Sequence, residues 1–186
     1  YRFNTIYLTQ SPNVIIQTLQ TAAIRKDHQS ISRLSSRDSL RAGYYLYMLE
    51  SVLKRHIKQW IAVLEQFPIR LEVLVKNLNN QQLDTPYRPE GWTVRQVIHH
   101  LADSHTHAYL RCKHALLENT PSIKDYAEVD WANLEDAREI DLSSSLLILE
   151  GIHNRWITFF NSLTGEQFKL EYLHPERSKK YPIYVV

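Results

Sequence analysis

The stretch Gly91-Trp-Thr-Val-Arg-Gln-Val-Ile-His-His-Leu-Ala-Asp-Ser-His105 decides how this chain is read. Thr93 and Gln96 have the Thr-x-x-Gln spacing of a capping box, in which the hydroxyl and the side-chain amide each satisfy a backbone group left open at a helix start. The spacing therefore predicts a helix beginning at Val94. From there Val94, Ile98, Leu101, Ala108, Cys112 and Ala115 recur at three- and four-residue intervals, which makes one apolar stripe on a helix. His105 falls inside that stripe. Together with His99, His100, His107 and His114, it gives this one helix five of the chain's nine histidines. On an ideal helix His100 lies about 120° to one side of the stripe, with Ser104, His107 and Arg111, at the margin of a buried face.

A chain of 186 residues, 44% hydrophobic and 23% charged, with four Gly and one Cys, fits one domain with an appendage. The net charge of +2 and a pI of about 8.6 fall short of the basic signature of a nucleic-acid binder, so no nucleic-acid partner is expected. Cys112 alone excludes an internal disulfide framework. No apolar run reaches the roughly 18 to 20 residues that span a membrane, and the sequence starts without a basic region followed by an apolar signal segment. The expectation is a cytoplasmic protein with no membrane partner.

Residues 1–50 differ in composition from the rest and read as an N-terminal extension, with residues 51–186 as a helical bundle domain. Ser11-Pro12 suits the start of a short helix reaching about Lys26. The Ser-rich stretch 29–39 reads as a linker or a poorly ordered arm, and Tyr44, Tyr45 and Tyr47 as a packing cluster. From Leu53, the residues Ile57, Trp60, Leu64, Leu71, Leu74 and Leu78 follow a heptad-like rhythm that asks for burial against other helices. Pro68 interrupts it, and because proline lacks an amide hydrogen a kink or break is expected near Phe67. Asp84 to Trp92, with two prolines and a glycine, is a loop.

Residues 119–139 read as a long crossover with one short helix and Tyr126, Trp131 and Leu134 as anchors. Leu146, Leu149, His153, Trp156, Phe160 and Leu163 restore helical spacing, which puts His153 in an apolar stripe where it must find a partner. The apolar end Tyr181-Pro-Ile-Tyr-Val-Val186 reads as the start of another element. Three bundle helices over residues 53–163 follow, with Leu53, Ile57, Trp60, Ile98, Leu101, Leu149, His153 and Trp156 pointing inward.

No Walker loop, dinucleotide fingerprint or Gly-x-Ser-x-Gly elbow is present, so the chemistry on offer is that of histidine. By spacing alone His105 is a hydrogen-bonded core histidine, and His99, His107 and His114 are solvated. His153 is either a satisfied core histidine or a base near the substrate. Cys112 is a buried thiol, Asp103 and Arg111 are exposed, and Trp92 packs beside the cap.

The run Leu83-Asp-Thr-Pro-Tyr-Arg-Pro-Glu-Gly-Trp-Thr-Val-Arg-Gln-Val-Ile-His-His-Leu-Ala-Asp-Ser-His105 resembles the signature of the DinB/YfiT-like metal-dependent hydrolases. The likeness continues through Tyr109 to Lys113, Leu149 to Trp156 and Tyr172 to Glu176, so it covers about residues 54–186. It implies an all-α fold, an up-down-down-up four-helix bundle that is often dimeric, with zinc or nickel bound by three histidines. The first of these matches His100. The other two form a His-x-x-x-His pair on the fourth helix, and no such pair is present in this sequence, so a metal site here is either incomplete or completed differently. The related bundles include transferases that join low-molecular-weight thiols to electrophiles. The resemblance thus implies a hydrolase or thiol S-transferase acting on a small molecule, with His100 as a metal ligand and His153 as the catalytic candidate nearby. The alternative is a metal-free helical module that binds a partner or dimerises.

Overall fold

This computed structural model describes residues 36–185, with side chains from Tyr47 onward apart from residue 49. The chain divides into two units, Tyr1–Leu49 and Glu50–Val186, and the core and the site both lie in the second. Helix α1 spans Ser36–Val75, α2 Asn80–Leu83, α3 Val94–Leu117, α4 Glu128–Ala132, α5 Glu135–Arg138 and α6 Ser143–Ser162. A 3₁₀ turn at Gln167–Lys169 leads into a hairpin of β1 (Glu171–His174) and β2 (Lys179–Pro182), and a second 3₁₀ turn covers Ile183–Val185. None of the described helices is long and apolar enough to cross a membrane.

Helix α3 starts where its capping box requires. The Thr93 side chain accepts from the Gln96 amide, and the Gln96 side chain accepts from the Thr93 amide. The helix packs along α6 and also touches α2, α4, α5 and β1, so it is the axis of the unit. Two apolar clusters flank it. Ile57, Tyr109, Cys112, Ala115, Trp156 and Phe160 form one with Phe168, Tyr172 and Ile183 of the C-terminal segment. Leu71, Val75, Leu83, Ile98, Ala102, Leu142 and Leu149 form the other. Each large side chain buried in this way contributes about 1.5–3 kcal/mol relative to exposure.

The three expected long helices are present, and of their predicted inward positions Ile57, Ile98, Leu149, His153 and Trp156 are buried while Leu53, Trp60 and Leu101 are partly so. Several local expectations change. Leu74 is 72% exposed and Val75 takes the core position instead, because the ideal heptad drifts against the true helical period. Residues 36–39, read as part of a Ser-rich linker, belong to α1. The expected helix from Ser11 to Lys26, residues 29–35 and the side chains of Tyr44 and Tyr45 lie outside the described residues, and Tyr47 is exposed.

Helix α1 runs through Pro68 as one helix, so of the expected kink or break the break does not occur. The crossover carries two short helices rather than one, and it is anchored by Pro121, Ile123, Ala132 and Ala137, while Trp131 and Leu134 are exposed. The C-terminal stretch differs most. Tyr181 and Pro182 end a hairpin strand, pairing with Tyr172 and Glu171, and the element that follows is the 3₁₀ turn at Ile183–Val185. The hairpin seats the crossover: the Ile123 amide donates to the Leu173 carbonyl at 3.0 Å and the Leu173 amide to the Pro121 carbonyl at 2.9 Å.

Candidate functional site

The loop before α3 folds back on itself to deliver Trp92. The Tyr87 amide donates to the Trp92 carbonyl at 3.1 Å, and the Gly91 amide to the Arg88 carbonyl at 2.9 Å. Glu90 has φ of 58°, in the left-handed region. Any Cβ at residue 91 would meet Arg88 Cγ at 2.7 Å, so glycine is the residue that fits. The indole of Trp92 then lies 4.9 Å from the His100 ring, centroid to centroid.

The crossover supplies the opposite wall. Asp125 accepts from Arg111 Nη2 at 3.2 Å and from the Tyr126 amide at 3.1 Å, and it lies 3.4 Å from Nε2 of His174 on β1. This holds Tyr126 over α3, where its ring stacks on His107 at 4.4 Å and its hydroxyl stands 3.4 Å from Nδ1 of His100. Trp131 closes the cluster at 4.9 Å from Tyr126. Arg111 and Asp103, expected to be exposed, are half-buried, because the crossover covers their face of α3. Burial and the nearby Asp136 raise the Asp103 carboxyl above its ordinary range.

His100 lies at the margin of the core, as its place on the helix implies, and it is half-buried. Burial pushes its pKa down, which favours the neutral imidazole that binds metals. Its Nδ1 faces Tyr126, and its Nε2 has no hydrogen-bond partner among the described residues. That is the arrangement of a ligand oriented through its other ring nitrogen. A complete centre is another matter. Among the described residues no group of three His, Cys, Asp or Glu side chains is gathered to hold an ion. His100 fits a metal as a single ligand, and the described residues do not fit a metal as a set.

The other histidines separate by environment. His99, expected in solvent, is buried, with Nδ1 2.7 Å from Ser145 Oγ on α6. His107 is half-buried by the same crossover that brings Tyr126, and His114 is exposed beside Glu118. His174 is buried in β1. Cys112 is fully buried, and burial pushes its thiol up to about 12.

His153 is 1% exposed and engaged at both ring nitrogens. Its Nδ1 lies 2.7 Å from the Leu64 carbonyl and its Nε2 lies 2.7 Å from Nδ1 of His105. Phe67 stacks on His153 at 5.3 Å and meets His105 at 4.9 Å, while Trp156 presents its edge to both. Leu64 matters here because in a helix its carbonyl would accept from the amide four residues on, which is Pro68 and has no hydrogen. His153 supplies the missing donor. Leu64, Phe67 and Tyr126 were not identified as site residues from the sequence; the missing amide at Pro68 was a usable signal for the first of them.

The chain matches the DinB superfamily over residues 63–185. It is 47% identical over 127 residues to the Bacillus subtilis protein named "Putative metal-dependent hydrolase YfiT", covering 68% of this chain and 71% of that one. A Bacillus licheniformis protein named in the same way is 45% identical over 131 residues, covering 70% of this chain and 74% of the relative. The solved structure of Bacillus subtilis YfiT, described as "a probable metal-dependent hydrolase with an unusual four-helix bundle topology", superposes with a TM-score of 0.69 at 45% identity. It covers 70% of this chain and 74% of that one. The helices, their capping and these likenesses agree: the chain belongs to the DinB superfamily.

Proposed function

We propose that this unit is the scaffold of a divalent-metal enzyme, a hydrolase or thiol S-transferase acting on a small molecule, in which His100 provides one ligand through Nε2. The carrying observation is the setting of His100: half-buried, with Nδ1 turned to the Tyr126 hydroxyl and Nε2 open, while burial pushes its pKa down. The names of the relatives, putative metal-dependent hydrolases, support the same reading. Zinc or nickel at such a position supplies Lewis acidity toward a bound water or thiol. Among the described residues no group of three His, Cys, Asp or Glu side chains gathers around an ion, so His100 is the one ligand this reading assigns. The chain's own contribution is a wall of Trp92 and Tyr126 that restricts water around His100.

Equilibrium dialysis of the full chain against zinc and against nickel tests this. Binding is expected to be weak and to fall at least tenfold, about 1.4 kcal/mol, in His100→Ala. Equal binding by His100→Ala and the parent overturns the assignment.

One observation favours a second reading, a metal-free module that pairs with another copy of itself. Val63, Ile69, Val73 and Leu74 are all exposed on α1, and their spacing puts them on one side of the helix. A dimer in sedimentation velocity that dissociates in Val73→Glu supports it, and a monomer in the parent rejects it.

A further inference from the structure

Asp103 is the carboxylate that the His100 corner leaves without a partner. His100 and Asp103 leave α3 about 60° apart and about 4.5 Å along its axis, which makes them neighbours on one face. His107, one turn further on, returns to within about 20° of His100. Tyr126 bridges the two histidines: its ring centroid is 4.4 Å from that of His107 and 6.3 Å from that of His100, and its hydroxyl stands 3.4 Å from Nδ1 of His100. The ring therefore lies over the turn of α3 that carries Asp103. Trp131 stands beside it, 4.9 Å from Tyr126 and 5.5 Å from His107, and Trp92 closes the His100 end at 4.9 Å.

Asp103 is half-buried among these rings. Its oxygens accept no hydrogen bond and meet no cation among the described residues, and they are not among the sealed polar atoms, so they face water. Asp125 on the same corner differs, because its carboxylate is taken by Arg111 and His174. Burial first and then Asp136 raise the Asp103 carboxyl, and no positive charge offsets them. A carboxylate drawn partly out of water is costly until a cation meets it, and aromatic faces beside it attract a cation as well. A divalent ion asks for further protein donors, and no group of three is gathered among the described residues. An organic cation asks only for the one carboxylate and the rings.

We propose that this corner takes a small molecule through a protonated amine, whose N–H groups donate to Asp103 while its charge and adjoining methylenes lie against Tyr126 and Trp131. Resting on the reading of the His100 corner as the substrate site, the assignment adds the charge class of the substrate. Asp103 is the specificity-determining residue. A neutral or anionic analogue of the same shape does not meet the carboxylate's charge, whereas an ammonium makes a charge-assisted hydrogen bond to it. Trp131 is 39% exposed, so it is open to a ligand from solvent.

Titration of the labelled full chain with butylammonium, 1-butanol and butyrate at neutral pH and low salt, read at the indole resonances of Trp92 and Trp131, tests this. Butylammonium is expected to shift both indoles saturably in the millimolar range, with 1-butanol and butyrate at least tenfold weaker. Asp103→Asn keeps the shape of the side chain and is expected to bind butylammonium at least tenfold more weakly, while Asp103→Glu recovers part of the loss. Glu150→Gln removes an exposed carboxylate on α6 and is expected to bind like the parent. Trp131→Leu changes a residue outside the core and is expected to weaken binding severalfold, which keeps the test decisive should Asp103→Asn fail to fold. Equal shifts with butylammonium and 1-butanol overturn the proposal, as does parent-like binding by Asp103→Asn or by Trp131→Leu. Zinc binding is read separately through His100→Ala: a parent that takes butylammonium but no zinc fails only the metal assignment, and one that takes zinc but not butylammonium fails only this one.

Discussion

Nδ1 of His153 donates at 2.7 Å to the carbonyl of Leu64, the acceptor that Pro68 leaves without its helical amide. A defect in one helix is thus repaired by a side chain from another, 89 residues away in sequence. A proline inside a helix costs about 3 kcal/mol when nothing compensates it, and a hydrogen bond across the gap returns about 1 kcal/mol of that. The repair also accounts for a histidine in the middle of an apolar stripe, which is a costly place for an unpaired polar group.

The two residues are therefore expected to be coupled. In a double-mutant cycle, His153→Ala costs more stability in the Pro68 parent than in Pro68→Ala, by about 1 kcal/mol, because the alanine amide feeds the Leu64 carbonyl in its place. Urea denaturation of the four proteins measures the difference, and additive effects contradict the repair.

Gln96 closes the cap through its carbonyl oxygen, and its Nε2 donates to the Ala132 carbonyl at 2.6 Å, fastening α4 to α3. Replacing Gln96 by Ala strands two backbone groups and is expected to cost about 2–3 kcal/mol. Gln96→Glu keeps the cap acceptor but turns a carboxylate oxygen toward the Ala132 carbonyl, so its loss is expected to shrink as pH falls and the carboxyl gains a proton to donate there, in the same denaturation curves.

The histidine pair makes stability depend on acid. Burial first, then the charges of His153 and His100, depress His105 from 6.5 to about 4, and burial depresses His153 as well. Between those values the unfolded chain binds a proton that the folded chain refuses, so this stability is full above pH 6.5 and lost as pH falls toward 4. Each unit of depression corresponds to about 1.4 kcal/mol. Unfolding free energies across this range are expected to fall steeply for the parent and less steeply for His105→Phe.

Cys112 is expected to be silent toward thiol reagents in the folded protein, since it is fully buried and its thiol is held up to about 12, far from the reactive thiolate. Modification by a disulfide reagent is expected to follow global unfolding. Rapid labelling in native buffer argues against this packing.

The sequence alone determined what depends on near neighbours along the chain. Thr93 and Gln96 set the start of α3, the three- and four-residue spacings set the long helices and most of their inward faces, and the position of His100 beside the stripe follows from helical rotation. These are local rules, and they leave alternatives open wherever a residue's partner is distant. Spacing left His99 outside the stripe, yet Ser145 and the approach to α6 bury it. The strands of the hairpin are four residues each, too short for alternation to announce them, and they exist because each finds the other and the crossover. That pairing seats Asp125 and Tyr126 against α3 and so builds the wall beside His100. The direction of the Leu64–His153–His105 chain was likewise decided in three dimensions, because a carbonyl freed by proline has no donor of its own and must take one from whichever helix packs against it.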